Sequence, residues 1–174
     1  VWNKKIFKNI QEKVDAASVS LAEERGSCPD AEEYGIKERF SNKTAIAPTA
    51  SISIICGGSS PGIEPIAANS FTHKTLSGSF NVRNKYLKKI LQKYKKDTDE
   101  VWSSITTNQG SVSHLNFLTA EEKDTFKTAF EIDQRWIVEL GADRTPNVSQ
   151  AQSINVFVPA DIHKKDLHQI HFQA

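Results

Sequence analysis

Apolar residues recur at helical intervals near the start of the chain. Ile6, Ile10, Val14, Ala17 and Leu21, with lysines and glutamates between them, predict an amphipathic helix over 3–24, ended by Gly26 and Pro29. Residues 43–47, with the apolar Ala45-Ile46-Ala47, predict a short buried strand stopping at Pro48. From 56 to 82 the chain is rich in Gly, Ser, Pro and Asn, and an extended loop with brief turns is expected. Helix returns over about 83–96, where Tyr86, Ile90 and Leu91 give a basic segment its apolar side. Asp97 with Glu100 reads as a capping pair for a short helix through Val101, Trp102 and Ile105, ended by Gly110. Thr119-Ala120-Glu121-Glu122 is a capping box for a long helix reaching about Leu140, with Phe126, Phe130, Ile137 and Leu140 inward. Ser153 to Val158 predicts a second buried strand, and Asp161 is placed to cap a last helix through Leu167 and Ile170.

Helix, strand, several helices, strand and helix is the order of an α/β fold that is mostly helical with a few strands. Two strands so far apart make no sheet of any size, so they predict a place in something larger. At 174 residues the chain is long enough for one domain with a core, and its 38% hydrophobic and 25% charged content is ordinary for a globular protein. Lys plus Arg number 22 against 21 Asp plus Glu, a net charge of +1 that argues against nucleic-acid and anionic-membrane partners. The basic run Lys85–Lys96 reads as a solvated helix face. No apolar run approaches bilayer length and no signal peptide opens the chain. The two cysteines, Cys28 and Cys56, are too few for a disulfide framework, fit a reducing cytoplasm, and sit in no metal-ligand spacing.

The most informative stretch is Ala45-Ile46-Ala47-Pro48-Thr49-Ala50-Ser51-Ile52-Ser53, followed by Gly57-Gly58-Ser59-Ser60-Pro61-Gly62-Ile63-Glu64-Pro65. Pro48 ends the strand, and Thr49, Ser51 and Ser53 can then cap a helix or tight turn whose unpaired N–H groups point outward. Amide donors, hydroxyls and the helix dipole together hold phosphate without Lys or Arg. A turn that merely caps a helix uses the same residues, and spacing alone favours that plainer role.

The stretch closely resembles the phosphate-binding segment of the large (α) subunit of class I ribonucleotide reductases. Further blocks resemble that family in the same order: Arg25-Gly26-Ser27-Cys28-Pro29, Thr72-His73-Lys74-Thr75-Leu76-Ser77-Gly78-Ser79-Phe80, Glu131-Ile132-Asp133-Gln134-Arg135-Trp136, Ala142-Asp143-Arg144-Thr145-Pro146 and Gln150-Ala151-Gln152-Ser153-Ile154-Asn155-Val156-Phe157. The resemblance implies that residues 1–174 are part of the second half of a ten-stranded α/β barrel, incomplete at both ends. It also implies that Thr49, Ala50, Ser51, Ile52 and Ser53 hold a nucleotide's diphosphate, Ala50 and Ile52 through backbone N–H alone. Some members of the family carry a hydroxylated residue where this chain has Ile52.

Other candidates carry less. The family's thiyl-radical cysteine, redox cysteine pair, and catalytic Glu and Asn lie upstream of this region, and neither Cys28 nor Cys56 matches them. Cys56 is expected to be a buried structural thiol. Ser51 or Ser53 with His73 and Asp143 makes a triad only on paper, without a G-x-S-x-G elbow. His168 and His171 are spaced as metal ligands can be, but no carboxylate set accompanies them, so no metal site is expected. Gln150, Gln152, Ser153 and Asn155 predict a structural hydrogen-bond network on the second strand.

The implied activity is that of the whole large subunit, reduction of ribonucleoside diphosphates to deoxyribonucleoside diphosphates by radical chemistry. Its expected partners are the substrate, the rest of the large subunit, and a small radical-generating subunit that holds the metal, so this chain itself needs no cofactor. No catalytic residue is assigned here, and the segment is not expected to be active alone. The chain contains no methionine and begins Val1-Trp2, which suggests an excerpt. The alternative is a stand-alone assembly module, a split-subunit piece that completes a barrel by association.

Overall fold

The computed structural model describes residues 1–57, 59–76 and 78–174; Gly58 and Ser77, which belong to two of the sequence blocks, lie outside the described residues. The first helix, α1, runs Trp2–Arg25, close to the predicted range. Its face is rotated from the predicted one. Ser18 and Ala22 are buried, while Ile6 and Ile10 are 51% and 40% exposed. The Ser18 hydroxyl accepts the amides of Arg39 and Phe40 at 3.1 and 3.3 Å, so polar tethering of the returning chain sets the orientation.

A short helix α2 (Pro29–Glu33) precedes the extended segment 43–47 and helix α3 (Ala50–Ile55). The segment predicted as a first strand and the one predicted as a second lie side by side and parallel. They share one isolated bridge, Ile46 with Gln152, and build no ladder. Gln150 donates to the Thr44 carbonyl at 3.0 Å, Ile46 to Ala151 at 3.2 Å, and Ser153 to Ile46 at 2.8 Å. Beyond that point side chains take over from a strand neighbour. The next two amides on the same edge, Asn155 and Phe157, donate to Glu64 Oε1 at 2.6 Å and Gln134 Oε1 at 2.8 Å. Both runs are therefore extended without being regular strands, and Ala45 and Ala47 are exposed rather than buried.

The regular sheet lies where a loop was expected. Strands β1 (Ser70–Thr75) and β2 (Gly78–Arg83) form an antiparallel hairpin with Ser70 opposite Arg83 and Thr75 opposite Gly78. Asn84 then caps α4 (Lys85–Lys93), its side chain accepting from the amides of Tyr86 and Leu87. Leu87 and Leu91 face inward, while Tyr86, predicted to be on the apolar side, is 60% exposed. Helix α5 (Asp99–Thr107) is capped by Thr98, not by Asp97. Asp97 instead accepts the indole N–H of Trp102 at 2.8 Å.

These helices and the following loop enclose the main core: Leu87, Leu91, Trp102, Ile105, Val112, Leu115 and Leu118. Asn69 closes its polar edge. Nearly inaccessible at 1% exposure, its Nδ2 donates to the carbonyls of Gly110 (3.0 Å) and Phe126 (2.7 Å).

The long helix expected from Thr119 is broken. The capping box at Thr119 and Glu122 is present, but α6 ends after Ala120–Thr125. A second capping box, Thr128 with Glu131, starts a 3-10 turn at Ala129–Glu131, and α7 spans Arg135–Arg144. The break has a tertiary cause as well as a local one. Asn69 takes the Phe126 carbonyl and Ile66 takes the Ala129 amide at 2.9 Å, groups a continuous helix would have paired internally. Phe130 and Leu140, expected inward, are 52% and 40% exposed. The last helix, α8 (Lys164–Gln173), is capped by His163 rather than Asp161.

Helix α7 joins the ends of the chain. Asn3 donates to the Leu140 carbonyl at 3.0 Å, Lys4 pairs with Asp143 at 3.1 Å, and the Arg144 guanidinium lies 5.5 Å from the Phe7 ring centroid. No helix among the described residues is long and apolar enough to cross a membrane.

Candidate functional site

Pro48 releases the chain from the extended segment, and Thr49 occupies the N-cap position of the six-residue helix α3. Thr49 does not cap with its side chain. Its hydroxyl and its amide both donate to the Pro61 carbonyl, at 2.9 and 2.8 Å. The first-turn amides of Ala50, Ser51 and Ile52 therefore have no hydrogen-bond acceptor among the described residues. Ser53 turns the other way. It is buried, its hydroxyl donates to the Ala50 carbonyl at 2.7 Å, and its amide donates to Thr49 at 2.8 Å.

The five candidate residues are thus brought together on one short helix but divide by chemistry. Ala50, Ser51 and Ile52 offer outward amides, and the exposed Ser51 adds a hydroxyl. Thr49 and Ser53 are engaged in holding the turn's shape. At the far end of α3, Lys85 Nζ donates to the Gly57 carbonyl at 3.1 Å, placing a cation where the helix dipole is negative. The loop that carries Pro61 is itself closed, with the Ser60 hydroxyl donating to the Glu64 carbonyl at 2.7 Å.

Next to the turn, a polar network on the 150–157 segment matches the expected series in part. Gln152 Oε1 accepts from Arg144 Nε at 3.1 Å, and its Nε2 donates to the Gly141 carbonyl and Thr145 hydroxyl at 3.0 and 2.9 Å. Arg144 is 3% exposed, with Nη2 buried and without a partner among the described residues. Burial pulls its pKa below the ordinary guanidinium value, while the charges of Glu64 and Asp143 pull it back up.

The remaining candidates are placed apart. Cys56, expected to be buried, is exposed at the C-terminal end of α3, where the short helix runs out at the surface. His73 lies in the hairpin opposite Phe80, and Asp143 pairs with Lys4, so no triad is assembled with Ser51 or Ser53. His163 Nδ1 accepts the Lys165 amide at 3.1 Å, and His168 packs near Phe172. Among the described residues no group of three or more His, Cys, Asp or Glu could hold a metal ion. Glu64, Gln134 and Arg144, whose side chains bond to the 150–157 segment, were not singled out by sequence reasoning. All three stood inside the quoted blocks, but nothing local says where their side chains point.

A family model described as ribonucleotide reductase, barrel domain, matches residues 30–174. The chain belongs to that family. The ribonucleoside-diphosphate reductase large subunit of Invertebrate iridescent virus 6 is 47% identical over 173 residues, 97% of this chain and 18% of the viral protein. The large subunit of Invertebrate iridescent virus 3 is 45% identical, covering 99% of this chain and 28% of that protein. Among solved structures, an Actinobacillus ureae class Id ribonucleotide reductase alpha subunit matches with a TM-score of 0.86 and 39% identity, over 98% of this chain and 30% of that one. The chain spans less than a third of the length of each of these proteins. Its fold is accordingly that of part of an α/β barrel. The parallel contact between segments 43–47 and 150–157 belongs to that architecture.

Proposed function

We propose that the chain works as a segment of a ribonucleoside-diphosphate reductase large subunit and supplies the turn that holds the substrate's diphosphate. The observation that carries this reading is the set of first-turn amides at Ala50, Ser51 and Ile52 within a motif that resembles the family's phosphate segment. Neutral amides and one hydroxyl suit a diphosphate because they stabilise negative charge through fixed dipoles and leave room for the substrate to depart. Thr49 and Ser53 act on this site by shaping α3. The radical step belongs to residues outside this segment and to a metal-bearing small subunit, and no redox role is given to Cys28 or Cys56. The substrate is a ribonucleoside diphosphate, and the product is the corresponding deoxyribonucleotide.

Ser51→Ala tests the reading in a complete large subunit that contains this segment. Loss of one hydrogen bond to a charged group, ~1.5–3 kcal/mol, predicts at least about 10-fold weaker binding of a nucleoside diphosphate by calorimetry. Unchanged affinity removes Ser51 from the site.

A further inference from the structure

The loop behind the turn is held by a side chain that the phosphate reading leaves without a role. Glu64 is 6% exposed, and its Oε1 accepts from the Asn155 amide at 2.6 Å and from Asn155 Nδ2 at 3.4 Å. Those partners lie 91 residues further along the chain. Gly62 leaves room for this carboxylate: a Cβ there would stand 2.1 Å from Glu64 Oε2 and 3.2 Å from Cδ, so the side chain would have to move. The loop between Ser60 and Glu64 is closed by the Ser60 hydroxyl on the Glu64 carbonyl, and it presents the Pro61 carbonyl to both donors of Thr49. Hydrogen bonds, joined by the covalent Ser60–Pro61 link, thus connect Asn155 through Glu64 and Ser60 to Thr49, the N-cap of α3.

We infer that Glu64 is a positioning residue for the phosphate turn: it pins the Ser60–Glu64 loop to Asn155, and the loop's Pro61 carbonyl fixes Thr49 so that the amides of Ala50, Ser51 and Ile52 keep one direction. The inference rests on the proposed phosphate role of α3. A site built from neutral amides has little long-range attraction for its ligand and depends on donors already aimed at the anion, so its affinity follows the rigidity of its support. A helix of six residues cannot supply that rigidity itself. Glu64 carries a negative charge that would repel a phosphate at close range. It is turned toward Asn155, and Arg144 lies close enough to attract it.

The test compares Glu64→Ala, Glu64→Gln, Gly62→Ala and Ser51→Ala with wild type in a complete large subunit containing this segment. The readouts are calorimetric titration with a ribonucleoside diphosphate, and KM and kcat with the same substrate. Glu64→Ala and Gly62→Ala are each expected to weaken binding about 10-fold and to raise KM in proportion, with kcat within about 2-fold of wild type. Glu64→Gln keeps an Oε1 acceptor for Asn155 and is expected to stay within about 3-fold of wild type. If Glu64→Ala and Gly62→Ala bind like wild type while Ser51→Ala is weakened, the inference falls and the phosphate reading stands. Wild-type affinity in all four variants overturns both. A Glu64→Gln as weak as Glu64→Ala also overturns the inference, because charge rather than the Asn155 contact would then govern. So does a fall in kcat at unchanged KM. Should Glu64→Ala fail to fold, the other pair decides: Gly62→Ala weakened with Glu64→Gln intact supports the role, and Gly62→Ala at wild-type affinity refutes it.

Discussion

His114 shows how a single side chain couples this fold to pH. Its Nε2 lies 3.0 Å from the Ser104 hydroxyl, and its Nδ1 is buried with no partner among the described residues. Burial first, and the Lys123 charge second, hold its pKa below the ordinary 6.5. The unfolded chain therefore takes up this proton more readily than the folded one. The resulting stabilisation is complete above about pH 6.5 and is lost as pH falls through the lowered folded value. Thermal midpoints measured between pH 7.5 and 5 should fall more steeply for wild type than for His114→Gln; equal slopes would remove His114 from the acid response. Glu131 titrates under opposite pressures. Burial raises its pKa, but hydrogen bonds from the Ser111 hydroxyl and from Thr128 outweigh this and leave it lowered. The Thr128 part of the Glu131 environment is local, but Ser111 and the surroundings of His114 come from other elements and are not legible in the sequence.

Element boundaries follow local chemistry where the decisive residue is a cap or a glycine. Thr119 with Glu122 starts α6 as the sequence predicts, and Gly110 ends the turn after α5 with φ +81°. Gly110 also sits where a Cβ would approach Ala68 Cβ at 2.3 Å and Ala68 Cα at 2.6 Å. Gly110→Ala therefore combines ~1–2 kcal/mol for left-handed backbone with ~1–3 kcal/mol for overpacking. A total of about 3 kcal/mol should lower the thermal midpoint by roughly 6–12 °C. A change within about 1 °C would show that Ala68 yields freely. Local rules failed where two signals competed. The Thr128–Glu131 capping box repeats the Thr119–Glu122 pattern nine residues on and could have been read as a second start. The apolar spacing of Phe126, Phe130, Ile137 and Leu140 pointed instead to one helix. Asn69 and Ile66 settle the contest by taking backbone groups at the break.

At the scale of the whole molecule, much apolar surface faces outward. Ile55 is 84% exposed, Trp2 74%, Phe172 84%, and Ile52 and Ile54 58% and 59%. In a chain that spans less than a third of its relatives, such surface is what the remaining parts of a barrel would cover. The isolated chain is accordingly expected to self-associate or to bind a hydrophobic dye, and co-expression with the rest of a large subunit should suppress both. A monodisperse monomer without dye binding would mean that this surface needs no cover. The same scale explains the two segments predicted as strands. A strand needs neighbours, and here each run has one backbone neighbour, with the Glu64 and Gln134 side chains continuing the second run's edge.

The amino-acid sequence by itself determined the helices with clear periodicity or caps, the stop at Pro48 that leads into α3, and membership in the reductase family. Each of these is written in residues that act on their near neighbours or in blocks that keep their order. Tertiary structure alone decided that β1 and β2 form a hairpin, that α1 turns Ser18 inward, and that Thr49 answers to Pro61 rather than to its own helix. It also decided that Glu64 and Gln134 stand in for a neighbouring strand. The reason is range. Propensities and caps act over a few residues, whereas the acceptor of the Asn155 amide lies 91 residues away, and only the folded chain brings the two together.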